Sequence, residues 1–118
     1  MKNGIHTGKV MTYTAPTGGV VSGTPVLIGA LLVVPVATVA QTEKFAGETE
    51  GVIQFTKVGS QAWTEGQVIY WDNTNKRFTS ASASGLFPCG VAAEAVGAGA
   101  GLTLGKVRLN GVSLTAVA

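Results

Sequence analysis

The side chains that could carry out chemistry in this chain are few and far apart. The 118 residues contain one histidine, His6, and one cysteine, Cys89. A catalytic cysteine needs a neighbouring base that lowers its thiol pKa, and a metal site needs several converging ligands. Cys89 follows Pro88 in an apolar run, where a cysteine is most often a small core residue. The sequence therefore argues against a Cys-His enzyme and against a bound metal.

Two glutamates offer the remaining route to acid–base catalysis. Glu48 and Glu50 alternate along an extended segment, which separates their Cα atoms by about 7 Å. General acid–base catalysis requires one carboxyl group to be desolvated in a cleft. Threonine and glycine surround both residues and supply no apolar wall, so we expect a solvated loop. A third carboxylate, Asp72, is expected to cap a hairpin turn.

A glycine-rich segment before Lys106 suggests a phosphate-binding loop, but its spacing does not fit. Such a loop places a glycine five positions before the Gly-Lys pair and a Ser or Thr after it. Here Ala100 and Val107 occupy those two positions around Gly105 and Lys106. We expect no nucleotide site and no cofactor.

The charged residues are sparse and dispersed. Eight basic and six acidic residues give a net charge of +2, and charged residues make up 12% of the chain. Among the basic residues only Lys76 and Arg77 are adjacent, whereas nucleic-acid binding requires clustered cations. Residues 10–42 carry no charge, but Pro25 and Pro35 interrupt them, which favours strands over a membrane span. We expect neither nucleic acid nor membrane as a partner.

The elements that must position these residues are short strands. Runs of β-branched residues are bounded by turn formers, among them 17 glycines, and no helical stripe is sustained. This pattern predicts an all-β fold, a small single-domain β-barrel or β-sandwich with an extended N-terminal arm and at most one short helical turn. The arm and the start of the first strand take residues 1–14, and the β domain takes residues 15–118.

The turn residues divide the chain into individual strands. We predict a ribbon of two strands, 25–28 and 31–36, that is apolar on both faces and lies at the centre of the core or inside an oligomer. The one helical turn is placed in residues 61–66, and the tail from residue 112 is expected to add a final edge or dock on a neighbour. The other predicted strands are 10–14, 51–57, 67–71, 77–80, one within 87–96, and 104–109.

Four aromatic residues cluster around one predicted hairpin: Trp63, Tyr70, Trp71 and Phe78. Aromatic clusters of this kind can stack bases or sugars. Tyr70 and Trp71 are consecutive in a strand, however, and so point to opposite faces and cannot form one platform. Core packing for one aromatic and a loop or subunit contact for the other is the favoured interpretation.

Several segments, taken in order, resemble a family of small tailed-phage and prophage proteins. That family was long labelled as of unknown function, is now regarded as capsid cement or decoration proteins, and has also carried a recombinase label. The most specific segment is the block Trp-x-x-Gly-x-x-x-Tyr-Trp-Asp, from Trp63 to Asp72. The matching segments are TAPTGGV (14–20), SGTPVLIG (22–29), GVIQFTK (51–57), AWTEGQVIYWD (62–72), GVA (90–92) and VRLNG (107–111).

The resemblance implies a non-enzymatic virion protein that binds the outer surface of the head shell. Its partners would be the major capsid protein of a tailed phage and further copies of itself, with a trimer favoured, after synthesis in the cytoplasm of the bacterial host. The recombinase label implies ATP-driven strand exchange, for which this chain lacks a phosphate loop. The residues predicted to contact the capsid or another subunit are Lys2, His6, Lys9, Tyr13, Trp63 and Trp71.

Two alternatives remain open from the sequence. The chain could be another phage structural component, such as a tail or head-completion protein, which copy number per particle would distinguish. It could also be a small β-barrel module that binds a ligand through Trp63 or Trp71.

Overall fold

The computed structural model describes residues 10–118, which contain nine strands and no helix. This confirms the all-β prediction. It also agrees with the limit of at most one short helical turn: none forms in residues 61–66, where Trp63 makes an antiparallel bridge with Val96. The strands are β1 (Val10–Thr14), β2 (Val26–Ile28), β3 (Leu31–Pro35), β4 (Lys44–Glu48), β5 (Glu50–Thr56), β6 (Val68–Asp72), β7 (Arg77–Thr79), β8 (Phe87–Ala92) and β9 (Leu104–Asn110).

The strands form two antiparallel sheets. One has four strands in the order β1-β4-β3-β2, and the other has five in the order β5-β9-β8-β6-β7. The five-stranded sheet curls until its two edge strands, β5 and β7, meet. Lys57, directly after β5, pairs with Phe78 in a parallel bridge, and the Val58 N–H donates to the Phe78 carbonyl at 3.0 Å. The sheet therefore becomes a partial barrel whose inner face can be filled by side chains.

The predicted apolar ribbon lies between two hydrophobic clusters. β2 and β3 pair through Val26 to Ile28 and Leu31 to Val33. Val33 is fully buried in the smaller cluster, whereas Leu32 and Val34 on the other face of β3 belong to the larger one. The placement at the centre of the core is thus confirmed, and it explains why this hairpin carries no polar face.

Aromatic rings fill the larger cluster inside the partial barrel. Trp71 makes an edge contact with Phe78, with ring centroids 5.1 Å apart, and a tilted contact with Phe55 at 6.0 Å. Cys89 is buried beside them and its thiol donates to the Ile69 carbonyl at 3.5 Å, as expected for a core cysteine. Such ring contacts account for much of the stability of a small domain.

A bulge in β8 shapes the outer surface of this sheet. Ile69 lies opposite Gly90 and Tyr70 opposite Pro88, so Cys89 is the extra residue. A Cβ atom at Gly90 would overlap the Arg108 carbonyl, which restricts this position to glycine. At Gly90 the backbones of β8 and β9 therefore approach closely, with no side chain between them.

The C-terminal tail docks on its own chain rather than adding a strand. Leu114 is buried in the larger cluster, and its N–H donates to the Ala30 carbonyl at 2.6 Å. Farther along, the Val117 N–H donates to the Leu86 carbonyl at 2.8 Å. These bonds hold the tail across the β2–β3 turn and the start of β8.

Candidate interaction surface

The ionisable side chains of residues 10–118 do not assemble a catalytic or metal centre. No group of three or more His, Cys, Asp and Glu side chains converges within that range. Burial raises the pKa of the Cys89 thiol to about 12, so the nucleophilic thiolate is disfavoured. Glu48 and Glu50 are exposed, at the end of β4 and the start of β5. Neither glutamate is held in an apolar cleft.

Asp72 has the structural role predicted for it. Its Oδ1 accepts hydrogen bonds from the N–H groups of Thr74 and Asn75 at 3.0 and 3.1 Å, and its Oδ2 accepts one from the Asn75 side chain at 2.8 Å. Burial alone would raise the Asp72 pKa. The hydrogen bonds and the Arg77 charge outweigh burial and lower that pKa below its ordinary value of 3.8. The carboxylate therefore caps the β6–β7 turn.

Lys57 is a buried cation that holds the end of β5 to a loop. Its Nζ donates to the carbonyls of Val58 and Leu102 at 2.7 and 3.1 Å and lies 5.6 Å from the centroid of the Trp63 ring. Burial lowers the pKa of Lys57 below 10.5. Among residues 10–118 it forms no ion pair. The residue is only 1% exposed and so cannot reach an external substrate.

The two tryptophans predicted as contact residues lie in the core of the single chain. Trp63 is 1% exposed and Trp71 is 0% exposed. The Trp63 Nε1 donates to Gln61 Oε1 at 3.0 Å, and the Trp71 Nε1 donates to Asn73 Oδ1 at 3.1 Å. Both indoles therefore have satisfied hydrogen bonds and a structural role. The prediction that Trp63 and Trp71 contact the capsid or another subunit is corrected accordingly, whereas core packing of Trp71 beside a half-buried Tyr70 agrees with the expectation for that pair.

Tyr13 lies apart from the tryptophans, in the smaller cluster. Its ring packs on Phe45 with centroids 5.8 Å apart, and burial raises its pKa above 10.0. The buried hydroxyl group has no hydrogen-bond partner in the part of the chain that the structure describes. The other predicted contact residues, Lys2, His6 and Lys9, lie outside that part.

The first exposed surface is the edge strand β1 of the four-stranded sheet. Among residues 10–118, β1 pairs only with β4, and four of its five side chains are exposed. Val10 is 50% exposed and Met11 is 40% exposed. Natural sheet margins are usually protected by charge, proline or a covering element. β1 has no charged residue and no proline, so it offers an unprotected strand edge.

The second exposed surface is the outer face of the five-stranded sheet. Val52 on β5 pairs with Arg108 on β9, Arg108 pairs with Val91 on β8, and Val91 pairs with Val68 on β6. Directly paired residues share a face, and β9 alternates strictly between exposed and buried residues with Arg108 exposed. These four residues, here called the aliphatic row, therefore cross four strands on the outside of the protein.

The aliphatic row borders a shallow groove of about 230 Å³. The groove adjoins the bulge in β8. The groove is lined by Val68, Pro88, Gly90, Val91, Arg108 and Asn110. Outer faces of two-layer antiparallel sheets are normally polar, so the exposed valines make this face a candidate contact surface. The sequence did not reveal this surface, since the row depends on strand pairing that alternation alone does not specify.

A third candidate surface is a depression of about 420 Å³ between the first turn of the chain and the β6–β7 loop. Its polar end is formed by Asn73 and Lys76, and the Lys76 Nζ donates to Asn73 Oδ1 at 3.0 Å. The remaining walls come from residues 16–21 and 24–27. Its lining residues include no carboxylate, histidine or cysteine, so the depression offers shape rather than an acid–base pair.

Comparison with known proteins gives one match. No curated protein and no solved structure is similar to the chain, and no helix within residues 10–118 could span a membrane. The model of one family, described as phage cement protein, matches residues 5–109. This match covers nearly the whole chain, so the protein belongs to the phage cement protein family, a family of phage structural components.

Proposed function

We propose that this protein binds the outside of an assembled tailed-phage head and stabilises the shell, without catalysing a reaction. The family match supports a structural role in a phage. The observation that carries the finer proposal is the unprotected margin of β1, an uncharged strand edge with Val10 and Met11 exposed. The proposed partners are the major capsid protein and further copies of this chain, with a trimer favoured.

A free strand edge suits this task because it binds through its backbone. An extended segment of a neighbour can pair with β1 by main-chain hydrogen bonds, and alternate side chains then set specificity. Stable interfaces bury about 1,200–2,000 Å² in total, and many identical copies on one shell add their contributions. Each copy can therefore bind modestly and still reinforce the particle.

The contact is proposed to involve residues 2–13. Lys2, His6 and Lys9 precede β1, and Tyr13 lies within it. Trp63 and Trp71 are excluded from this contact because both are buried in the core. β1 itself carries no charge, so its part of the binding should depend only weakly on salt, whereas Lys2 and Lys9 add a salt-dependent part.

A truncation tests this contact directly. Deleting residues 2–9 leaves β1 and the Tyr13–Phe45 packing in place, so the fold should be retained. The truncated protein should sediment with purified phage heads much more weakly than the full chain, because only the β1 part of the contact remains. Head binding by the folded, truncated protein at full strength would refute the proposed contact.

A second pair of variants tests the strand edge itself. Val10→Lys places a charge on β1, and Leu102→Lys places one on a distant loop; the two positions are 50% and 47% exposed. Val10→Lys should weaken head binding by about tenfold, equivalent to 1.4 kcal/mol, and Leu102→Lys should leave it unchanged. Equal effects of the two substitutions would contradict a role for β1.

A further inference from the structure

The aliphatic row has an acidic neighbour on the same outer face. Glu50 is exposed at the start of β5 and pairs with Asn110, one row away from the pair of Val52 and Arg108. Within residues 10–118 the ion pairs are Arg77 with Asp72 and Lys106 with Glu94. Glu50 and Arg108 thus lie on one surface, each without an ionic partner in that range.

The same surface contains a projection and a recess. Val52, on the marginal strand β5, is 57% exposed and projects from the face. The groove at Gly90 lies two strands away, between Val68 and Arg108. A short aliphatic side chain with a carboxylate close by would fill the groove and meet the guanidinium group. Val52 and Glu50 together provide that combination.

We propose that this outer face binds a second copy of the same chain. In the contact, Val52 of one copy enters the groove of the next, and Glu50 of the first pairs with Arg108 of the second. A second copy is favoured because the chain itself carries the complementary set, one projecting valine, one recess, one acid and one base. This contact rests on the self-association in the proposed function, and repeating it head to tail around a closed ring gives the favoured trimer.

The composition agrees with burial of this face between copies. Aliphatic side chains on the outside of a sheet are exposed to water at a free-energy cost that association removes. The charged pair adds specificity, because an incorrect partner leaves Arg108 or Glu50 unpaired. A nucleic-acid partner is disfavoured by Glu50 and Glu94 on and beside the face.

Sedimentation velocity of the purified protein, without phage heads, tests the proposal. The wild type should sediment as an oligomer at micromolar concentration, and Val52→Asp should raise its dissociation constant at least tenfold. Val21→Asp is the matched control, since Val21 and Val52 are both 57% exposed and only Val52 lies on this face. Val68→Asp, on the other side of the groove, should act like Val52→Asp.

A charge exchange tests the ion pair. Arg108→Glu and Glu50→Arg should each weaken association about tenfold, and the double variant should restore most of it. A monomeric wild type, equal effects of Val52→Asp and Val21→Asp, or a double variant as weak as the single ones would overturn the proposal. Because no heads are present, these outcomes are independent of the proposed shell contact at β1.

Discussion

The ammonium group of Lys57 lies over the ring of Trp63, 5.6 Å from its centroid, at the point where the five-stranded sheet closes. Two backbone carbonyls, of Val58 and Leu102, accept its hydrogen bonds. A cation over an indole ring is attracted to the ring face, and desolvation strengthens the attraction. The pair therefore joins β5, the loop before β9 and the segment that contains Trp63.

The pH dependence of stability should report on Lys57. Because burial lowers its pKa below 10.5, the unfolded chain binds more protons than the folded chain as the pH approaches that value from below. Wild-type stability should therefore rise with pH in this window relative to Lys57→Met. Urea denaturation of both proteins between neutral pH and pH 10.5 measures the difference.

Comparison with Lys57→Met cancels the contributions of the other titratable groups to the pH dependence of stability. The raised pKa values of Cys89 and Tyr13 decrease stability at alkaline pH, but both residues are present in the two proteins. A stability difference that stays constant across the window would show that Lys57 titrates normally in the folded chain.

Gly105 should not tolerate a side chain. A Cβ atom there would overlap the six-membered ring of Trp63, whereas a Cβ atom at Gly101 would meet nothing within 4 Å. Gly105→Ala should lower the free energy of unfolding by about 1–3 kcal/mol through overpacking. Gly101→Ala should change it by less than about 0.5 kcal/mol. Thermal and urea unfolding compare the two variants, and equal stabilities would contradict the packing of Trp63 against β9.

Asp72 should stabilise the β6–β7 turn only while it is ionised. Asp72→Ala removes an acceptor of three hydrogen bonds and should cost about 1.5–3 kcal/mol at neutral pH. Since its pKa is lowered from 3.8, the stability it adds is complete above that value and is lost as the pH falls through the folded-state pKa.

Acid titration of the two proteins checks this assignment. The advantage of the wild type over Asp72→Ala, measured by urea denaturation, should shrink steadily below pH 3.8. An advantage that persists unchanged at the lowest pH at which both proteins fold would rule out a charged cap.

The thiol of Cys89 should be unreactive in the folded protein. It is 1% exposed, and burial raises its pKa to about 12. A thiol reagent at pH 8 should label it only as fast as the chain opens, and immediately in denaturant. Rapid labelling of the native protein would contradict the placement of Cys89 in the core.

Sequence patterns predicted the elements whose turns carry a clear chemical signal. The β6–β7 hairpin was predicted because Asp72 and its asparagine neighbours favour a tight turn. The β2–β3 hairpin was predicted because Gly29 separates two apolar runs, and Gly29 indeed has a positive φ of 62°. In both cases the decisive interactions are local.

Strand β4 was missed because its pattern resembles a loop. Lys44 and Glu48 are charged and Gly47 is a turn former, yet Phe45 and Gly47 are buried between them. A Cβ atom at Gly47 would overlap the Val33 side chain, so this glycine serves packing rather than a turn. Such long-range contacts cannot be read from local composition.

One candidate surface was predicted from the sequence and the other was not, and the reason is again the range of the contacts. The uncharged first strand was evident from sequence, and it forms β1 with the predicted bounds. The aliphatic row combines residues from four strands, and its alignment depends on the bulge at Cys89. Trp63 and Trp71 were predicted to contact the capsid or another subunit because the sequence does not show that both side chains are buried in the core.

The decisive experiment for shell decoration is sedimentation of the purified protein with tailed-phage heads, with bound protein quantified per particle. Binding to intact heads should saturate at hundreds of copies each, and saturated heads should survive heating better than bare ones. Protein that stays in the supernatant, or that saturates at a ring of about six or twelve copies, would contradict a role in shell decoration.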